Sequence, residues 1–182
     1  NGSGKSVLMR CLKGLTIPNS GTITIGTEDV SRRAKRRNEL IGMVFQDAET
    51  QIVGQTVQRD IVFGLENLRL PPGERNQRFE EIVELFHLSS ILSRRPRTLS
   101  GGEQRRVAIA GVLAMKPHIL ILDEPFANLD YEGVIQVLKT ILHIKEQGHT
   151  LIIVTHEIEK ILAHADTMLL IEKGRILSTG DP

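Results

Sequence analysis

Apolar residues follow two patterns along this chain: short unbroken runs and stripes at helical spacing. Residues 119–122 are all apolar, as are residues 151–154, and such runs are typical of strands that a parallel sheet buries on both faces. Between them, Val134, Leu138 and Ile141 repeat at the spacing of one helix face. Strands that alternate with helices predict a doubly wound α/β fold with a mostly parallel sheet. In such folds the active groups lie beyond the carboxyl ends of the strands.

The same two patterns predict the remaining elements of the sheet and its helices. Apolar positions near the start of the chain predict a helix that ends at Gly14, and another helix is expected at about residues 100–115. Strands are expected at residues 22–25 and 41–45. The apolar run at residues 168–171 predicts a third buried strand of the sheet.

The middle of the chain has a different pattern, because residues 47–97 contain no long apolar run. One helix face there is marked by four apolar residues at helical spacing: Phe79, Ile82, Val83 and Phe86. The breaker at residues 71–73, Pro-Pro-Gly, interrupts the segment before that helix. We therefore predict one domain, residues 1–182. Residues 1–46 and 98–182 form its α/β core, and residues 47–97 form an inserted, mostly helical lobe.

Composition narrows the possible partners. The chain has 182 residues, enough for one α/β domain, and a formal net charge of +1, so no overall field points to nucleic acid or an anionic membrane. Cys11 is the only cysteine, which excludes an internal disulfide and favours a buried thiol. No apolar run approaches the roughly 18 residues of a membrane helix. The basic run at residues 32–37 has no interleaved aromatic residues and is expected to be a solvated loop.

The chain begins inside a glycine-rich motif that resembles the second half of a phosphate-binding loop, G-x-x-x-x-G-K-[ST]. Glycines let the backbone aim several N–H groups at phosphate oxygens, and the following helix adds its positive end. Lys5 would reach the β- and γ-phosphates, and Ser6 would ligate Mg²⁺. An incidental glycine turn gives the same pattern in about 1% of chains this long. The residues expected to bind ATP are Asn1, Gly2, Ser3, Gly4, Lys5 and Ser6.

Because this motif starts at Asn1 with its first half missing, we expect the chain to be a piece of a longer protein.

An acidic pair follows the apolar run at residues 119–122. Asp123 would stand at the carboxyl end of a buried strand, where it can hold Mg²⁺ through water, and Glu124 can polarise the attacking water. Taken alone, the pair is more simply an acidic start to a surface loop. A phosphate loop in the same chain reverses that preference.

A third motif gives the strongest signal. The stretch Leu99-Ser100-Gly101-Gly102-Glu103-Gln104 opens a predicted helix, and Ser100 and Glu103 have the spacing of a capping box. It resembles the ABC ATPase signature, LSGGQ or LSGGE. Three further motifs of that family follow its order: Gln46 after a strand, Asp130 in Asn-Leu-Asp, and His156 after a threonine. With these six motifs, the whole chain resembles an ABC-type ATPase.

The resemblance implies a P-loop NTPase (RecA-like) fold with an inserted α-helical subdomain and the remnant of an antiparallel β subdomain. It also implies two such domains facing each other head to tail, with ATP between the phosphate loop of one and the signature of the other. The signature residues that would meet the partner's ATP are Ser100, Gly101, Gly102, Glu103 and Gln104.

The remaining roles also come from the resemblance. Glu124, His156 and Gln46 would be catalytic: His156 would hydrogen-bond the γ-phosphate, and Gln46 would sense a transport subunit. Asp130 would link the two ATP sites. Mg²⁺ would be held by Ser6, Gln46 and Asp123, so the expected cofactors are ATP and Mg²⁺.

Three segments narrow the resemblance further. Residues 44–57, 60–67 and 124–130 look like ATPases of energy-coupling-factor importers, a group that includes cobalt and nickel uptake ATPases. This implies an ATP-hydrolysing subunit on the cytoplasmic face of the cell membrane, which powers uptake of a vitamin or a transition-metal ion. Its partners would be a second ABC ATPase subunit, identical or paralogous, and an integral membrane transport subunit. That membrane subunit would choose the substrate.

Three alternatives remain within the ABC class. An ATPase of DNA maintenance or repair carries long coiled coils or zinc modules, for which the insert of about fifty residues without cysteine pairs offers no room. A translation-linked protein would carry two such cores. A non-hydrolysing regulatory domain would lack catalytic residues, whereas Lys5, Asp123, Glu124 and His156 are all present. No nucleic-acid partner is expected.

Overall fold

The computed structural model describes residues 3–182, and that range contains seven α-helices and seven strands. The helices are α1 Lys5–Lys13, α2 Ala34–Leu40, α3 Ala48–Gln51, α4 Val57–Asn67, α5 Pro72–Leu85, α6 Gly101–Leu113 and α7 Tyr131–Glu146. The strands are β1 Thr24–Ile25, β2 Glu28–Asp29, β3 Ile41–Val44, β4 Ile119–Asp123, β5 Thr150–Val154, β6 Met168–Glu172 and β7 Arg175–Gly180.

A parallel sheet of three strands, in the order β3-β4-β5, lies at the centre. Ile119 pairs with Ile41 on one side and with Thr150 on the other, and the ladder ends where Asp123 pairs with Val154. Because the strands are parallel, their carboxyl ends lie at one edge of the sheet. The residues that follow β3, β4 and β5 are therefore brought together there.

Helices cover both faces of this sheet. Leu120 and Leu122 belong to a buried cluster that includes residues of α3, α4, α5, α6 and α7. Ile121 belongs to a second cluster, with Met9 of α1 and Leu40 of α2. Since successive strand residues point to opposite faces, the two clusters lie on opposite sides of the sheet. The expected doubly wound α/β fold is confirmed.

Helices and turns make up the described structure of residues 47–97. Val57, Ile61 and Leu65 are fully buried, one turn apart, so α4 presents a single apolar stripe. This stripe packs in the same buried cluster as residues of α6, which lies outside the predicted insert. The division into an α/β core and an inserted lobe at residues 47–97 stays a prediction.

The prediction that residues 168–171 form a third buried strand of the central sheet is wrong. They lie in β6, which pairs with β7 in a separate antiparallel hairpin whose apolar side chains are largely exposed. The cause is the two-residue turn Lys173-Gly174, where both residues have positive φ, 48° and 76°. A turn of this kind returns the chain beside the strand it has just left.

The expected solvated loop at residues 32–37 is also wrong in part, because α2 begins at Ala34. Arg37 is buried, and its guanidinium donates hydrogen bonds to the carbonyls of Val30 and Ser31. Arg33 and Arg36 stay on the surface and pair with Glu28. Cys11 is only partly buried.

The first strand and the lengths of the helices can also be compared with what the sequence predicts. The strand expected at residues 22–25 is shorter, Thr24–Ile25, and pairs with β2 across a turn at Gly26. Among the helices of residues 3–182, none has the length and apolarity needed to cross a bilayer.

Candidate active site

The phosphate-loop residues that the structure describes stand at the start of α1. Gly4 precedes the helix with φ 96°, a left-handed conformation that glycine adopts without strain. Lys5 Nζ donates a hydrogen bond to Ser3 Oγ at 2.9 Å, and the Ser3 carbonyl accepts one from the Gly174 amide at 2.8 Å. The turn of the β6–β7 hairpin therefore supports this loop. Asn1 and Gly2, also expected to bind ATP, lie outside the described residues.

Asp123 ends β4 beside this loop, with 8% of its surface exposed. Burial raises the pKa of its carboxyl, and the charge of Glu124 raises it further. A hydrogen bond with Ser6 and the charges of Arg10 and Lys5 act in the opposite direction. The structure thus brings Lys5 and Ser6 of the phosphate-loop motif close to the end of β4.

The carboxylate of Asp123 shows whether the residues present fit a Mg²⁺ site. Its buried Oδ1 has no hydrogen-bond partner within residues 3–182. Mg²⁺ prefers oxygen ligands and is usually held by one or two protein groups, with water and phosphates completing its shell. An unpaired carboxylate oxygen beside the Ser6 hydroxyl fits that requirement. Over the same residues, no cluster of three or more His, Cys, Asp or Glu side chains forms a complete metal cage.

Glu124 and His156 form a pair at the next position along the sheet edge. Glu124 Oε2 lies 2.9 Å from His156 Nδ1 and accepts a hydrogen bond from the His156 amide at 3.3 Å. The backbone of Glu124 is fixed because its amide donates to the Val154 carbonyl at 2.7 Å. The carboxylate is 12% exposed, whereas the imidazole is 64% exposed. Register between β4 and β5 thus brings two residues 32 positions apart into contact.

The backbone at Glu124 is strained. Its φ is 48°, in the left-handed region, which costs a non-glycine residue about 1–2 kcal/mol. Such conformations persist where surrounding contacts determine them, and they cluster at functional sites. The bond to Val154 is one such contact. This turn aims the side chain of Glu124 at His156.

Gln46 lies two residues beyond β3, with an exposed side chain. Its carbonyl accepts a hydrogen bond from Arg105, a buried residue on α6 that no sequence motif marks. The sequence pattern predicts only that an arginine inside a helix lies on the surface. Only the folded backbone, which brings a strand end beneath α6, reveals this contact.

The signature residues form the N-terminus of α6. Ser100 Oγ accepts a hydrogen bond from the Glu103 amide at 3.2 Å, and Glu103 Oε2 accepts one from the Ser100 amide at 2.7 Å. This confirms the capping box. Ser100 and Gly101 are exposed, so the helix begins at the surface. Gln104 donates to the Pro96 carbonyl at 3.1 Å, a contact within the same segment.

Gly102 is buried instead, because α6 starts against α7. A Cβ added to Gly102 would lie 2.9 Å from Cα of Gly133. Asp130, proposed to link two ATP sites, caps α7: its Oδ1 accepts a hydrogen bond from the Gly133 amide at 2.8 Å. Between residues 100–104 and Ser3–Ser6 the described structure contains no hydrogen bond or ion pair.

An open groove of about 470 Å³ runs beside α4. Its lining residues are Val53, Gly54, Gln55, Arg59, Val62, Phe63 and Glu66. Of the apolar residues at positions 52, 53 and 57, Val53 alone lines this groove. Val53 is 63% exposed, whereas Ile52 is half-buried and Val57 is fully buried.

Comparison with known proteins identifies the family to which this chain is similar. Residues 1–127 match the protein family described as ABC transporter. The chain is 41% identical to energy-coupling factor transporter ATP-binding protein EcfA1 of Enterococcus faecalis, over all of this chain and 66% of that protein. It is 40% identical to EcfA2 of Lacticaseibacillus paracasei, over all of this chain and 65% of that protein. The chain thus spans slightly less than two-thirds of the length of these relatives.

A solved structure has the same fold. It is cbiO1 from Clostridium perfringens, described as part of the ABC transporter complex cbiONQ. The TM-score is 0.91 at 36% sequence identity, and the match covers all of this chain and 74% of that one. The similarity therefore extends over β6 and β7 as well as the central sheet.

Proposed function

This chain belongs to the ABC transporter family, and from that membership we propose that it is the ATP-binding and ATP-hydrolysing part of an energy-coupling-factor importer subunit. The whole protein would power uptake of a vitamin or a transition-metal ion from the cytoplasmic face of the cell membrane. The observation that carries the proposal is the contact of Glu124 with His156, at the sheet edge that also holds Asp123.

Binding of ATP would rest on the loop before α1. Lys5 would exchange its bond to Ser3 for the β- and γ-phosphates, and the amides that follow Gly4 would face phosphate oxygens. The Ser6 hydroxyl and the unpaired oxygen of Asp123 would hold Mg²⁺ directly or through water, with Gln46 as a further ligand. Mg²⁺ supplies neutralisation of the charge that develops on the phosphates.

Hydrolysis would rest on Glu124. Its carboxylate would accept a proton from, or orient, the water that attacks the γ-phosphate. His156 would hold that carboxylate at 2.9 Å through Nδ1 and could turn to the γ-phosphate, since its imidazole is exposed. The strained backbone of Glu124 supports this role, because it keeps the carboxylate at the end of the strand and away from solvent.

A second ABC ATPase subunit would complete the site. The Ser100 amide already donates to Glu103, whereas Gly101, the first residue of α6, is exposed and makes no described hydrogen bond to the phosphate loop of the same chain. A helix N-terminus attracts an anion, so the start of α6 would meet the γ-phosphate of ATP held by the other subunit. Asp130, already fixed as the cap of α7, would lie beside the interface.

The membrane subunit would dock in the groove beside α4. Val53 and Phe63 are apolar and more than half exposed there, which suits the apolar side of a short helix. The groove lies on the segment that follows Gln46, so loss of the γ-phosphate could change its position. The relatives named as energy-coupling factor transporter proteins support a partner of this kind.

The test uses the full-length protein expressed with its neighbouring genes. We expect wild type to hydrolyse ATP and to co-purify with a membrane protein, and Lys5→Ala to lose measurable turnover. Val53→Asp should lower recovery of that membrane protein by about tenfold or more, because a charge would enter an apolar contact. Ile17→Asp is the matched control, since Ile17 is also exposed but lies outside the groove.

The result also separates importers from other ABC ATPases. A DNA titration at two salt concentrations accompanies the membrane pull-down, because phosphate contacts give salt-sensitive binding. ATPase activity that DNA stimulates, with no membrane protein recovered, would replace the importer proposal and leave the ATPase proposal intact. Lys5→Ala with near-normal turnover would refute both.

A further inference from the structure

Arg105 joins the signature helix to the strand end that carries Gln46. It lies on the second turn of α6, five residues after Ser100, and is 4% exposed. Its guanidinium donates from Nη1 to the Phe45 carbonyl at 2.8 Å and from Nη2 to the Gln46 carbonyl at 2.6 Å. The planar donor group of arginine therefore holds two consecutive carbonyls in one geometry.

Gln51 holds the same strand end from α3. Its Oε1 accepts a hydrogen bond from the Phe45 amide at 2.9 Å, and its Nε2 donates to the Met43 carbonyl at 3.0 Å. Because β3 is an edge strand of the described sheet, these backbone groups have no neighbouring strand to pair with. Side chains of α3 and α6 together fix the backbone of Phe45 and Gln46.

The Arg105 contact cannot loosen without cost. Burial lowers the pKa of Arg105, against the opposing effects of the charges of Asp47 and Asp123. Within residues 3–182 the guanidinium forms no ion pair, and its hydrogen bonds go to these two carbonyls. A buried charge that loses its hydrogen bonds is strongly unfavourable. Motion of α6 and motion of Gln46 should therefore occur together.

The two ends of this connection face different ATP molecules under the function proposed above, on which this inference rests. The N-terminus of α6 would meet ATP of the other subunit, whereas Gln46 would meet Mg²⁺ of its own site. We propose that Arg105 is a positioning residue that couples the two: engagement of the signature by one ATP sets the position of Gln46 at the other.

The experiment compares variants of the full-length protein in its assembled complex. Arg105→Met removes both hydrogen bonds, and Arg105→Lys keeps the charge but loses the planar pair of donors. Arg106→Met is the matched control, since this neighbour on α6 makes no hydrogen bond to residues 45–46 among those described. ATP affinity, kcat and thermal stability are measured for each variant.

We expect Arg105→Met to lower kcat by about tenfold and Arg105→Lys by less, while the Kd for ATP changes no more than about twofold. ATP affinity should persist because Lys5 and Ser6 are untouched. Arg106→Met should keep kcat near wild type. If Arg105→Met does not fold, Arg105→Lys is compared with the control instead.

A double-mutant cycle with Gln46→Ala separates positioning from a general structural role. If Arg105 acts through Gln46, the Arg105 substitution should change kcat little once Gln46 is alanine. Losses that multiply in the double mutant would overturn the coupling, as would a kcat for Arg105→Met or Arg105→Lys equal to that of the control. Wild type without ATPase activity would instead refute the proposed function, and the coupling with it.

Discussion

The ends of β4 and β5 and the start of α6 place functional groups in different ways. At the strand ends, Asp123, Glu124 and His156 would act through their side chains, which strand register brings together. At the start of α6, the proposed functional groups are those of the helix N-terminus, and the close approach of α7 leaves no room for a side chain at Gly102. At the strand ends, a substitution should mainly affect the reacting atoms. At the α6–α7 contact, there is no space for an added atom at Gly102.

This difference predicts that substitutions should separate chemistry from stability. A strand-end residue can lose its chemical group while its buried neighbours still hold the fold. Gly102 cannot gain a methyl group without a shift of α6 or α7. The three predictions below test this distinction, starting with the largest effect.

Glu124→Gln should lower kcat by about 10²–10⁴-fold, because an amide cannot accept the proton of the attacking water. ATP binding should persist, so an ATP-dependent dimer should accumulate with the nucleotide trapped between two subunits. Phosphate release gives kcat, and light scattering gives the mass. Glu159→Gln, an exposed glutamate nearby, is the control and should behave as wild type. A monomeric Glu124→Gln at saturating ATP would contradict the head-to-tail site.

Gly102→Ala should lower the free energy of unfolding by about 1–3 kcal/mol, because its Cβ would be forced within 2.9 Å of the Gly133 backbone. Gly101→Ala is the matched variant. Its Cβ would meet only the end of the Leu129 side chain, at 3.1 Å, so stability should change by about 0.5 kcal/mol or less. Urea unfolding measures both. Equal destabilisation would show that the α6–α7 contact does not determine which signature glycine is structural.

Substitution of Lys13 should have the smallest effect, and it should change stability alone. Lys13 contacts the start of β3, at the end of the sheet opposite to Asp123 and Glu124. Its ammonium donates to the carbonyls of Asn38 and Ile41, and burial lowers its pKa from 10.5 to about 8. Below pH 8 both the folded and unfolded states carry the proton, so the cost of burying the charge is fully present. Between pH 8 and pH 10.5 the folded state loses the proton first, and stability rises.

The measurement compares thermal unfolding of wild type and Lys13→Met at pH 7 and pH 10. Wild type should gain on the order of 1 kcal/mol relative to the variant over that range, after allowance for its partial exposure. Other titrating groups cancel in the difference. A difference that does not change with pH would mean that Lys13 is not desolvated. The kcat of the two proteins should stay equal at pH 7.

The strand-end site was predictable because its signals are local. An unbroken apolar run ends at Asp123, so a buried strand had to place Asp123 and Glu124 at the sheet edge. The capping box at Ser100 follows equally from residues three apart. The contact between Glu124 and His156 then follows from the pairing of adjacent parallel strands, although its 2.9 Å distance does not.

What the sequence could not reveal depends on contacts between distant segments. Arg37 and Arg105 are buried because carbonyls from other elements happen to lie within their reach. No pattern of neighbouring residues marks those carbonyls. Residues 168–171 form a hairpin strand because the turn at Lys173-Gly174 returns the chain beside them. The apolar run alone predicts a strand but not the sheet to which that strand belongs.

The left-handed backbone of Glu124 also bears on selection. A position with φ of 48° is best filled by glycine or asparagine, as at Asn128, where φ is 60°. A glutamate there gives up stability that a different residue would keep, which is the expected trade-off at a site maintained for activity. A search for more thermostable variants of this protein should therefore favour glycine or asparagine at position 124, and such variants should lose the proposed ATPase activity.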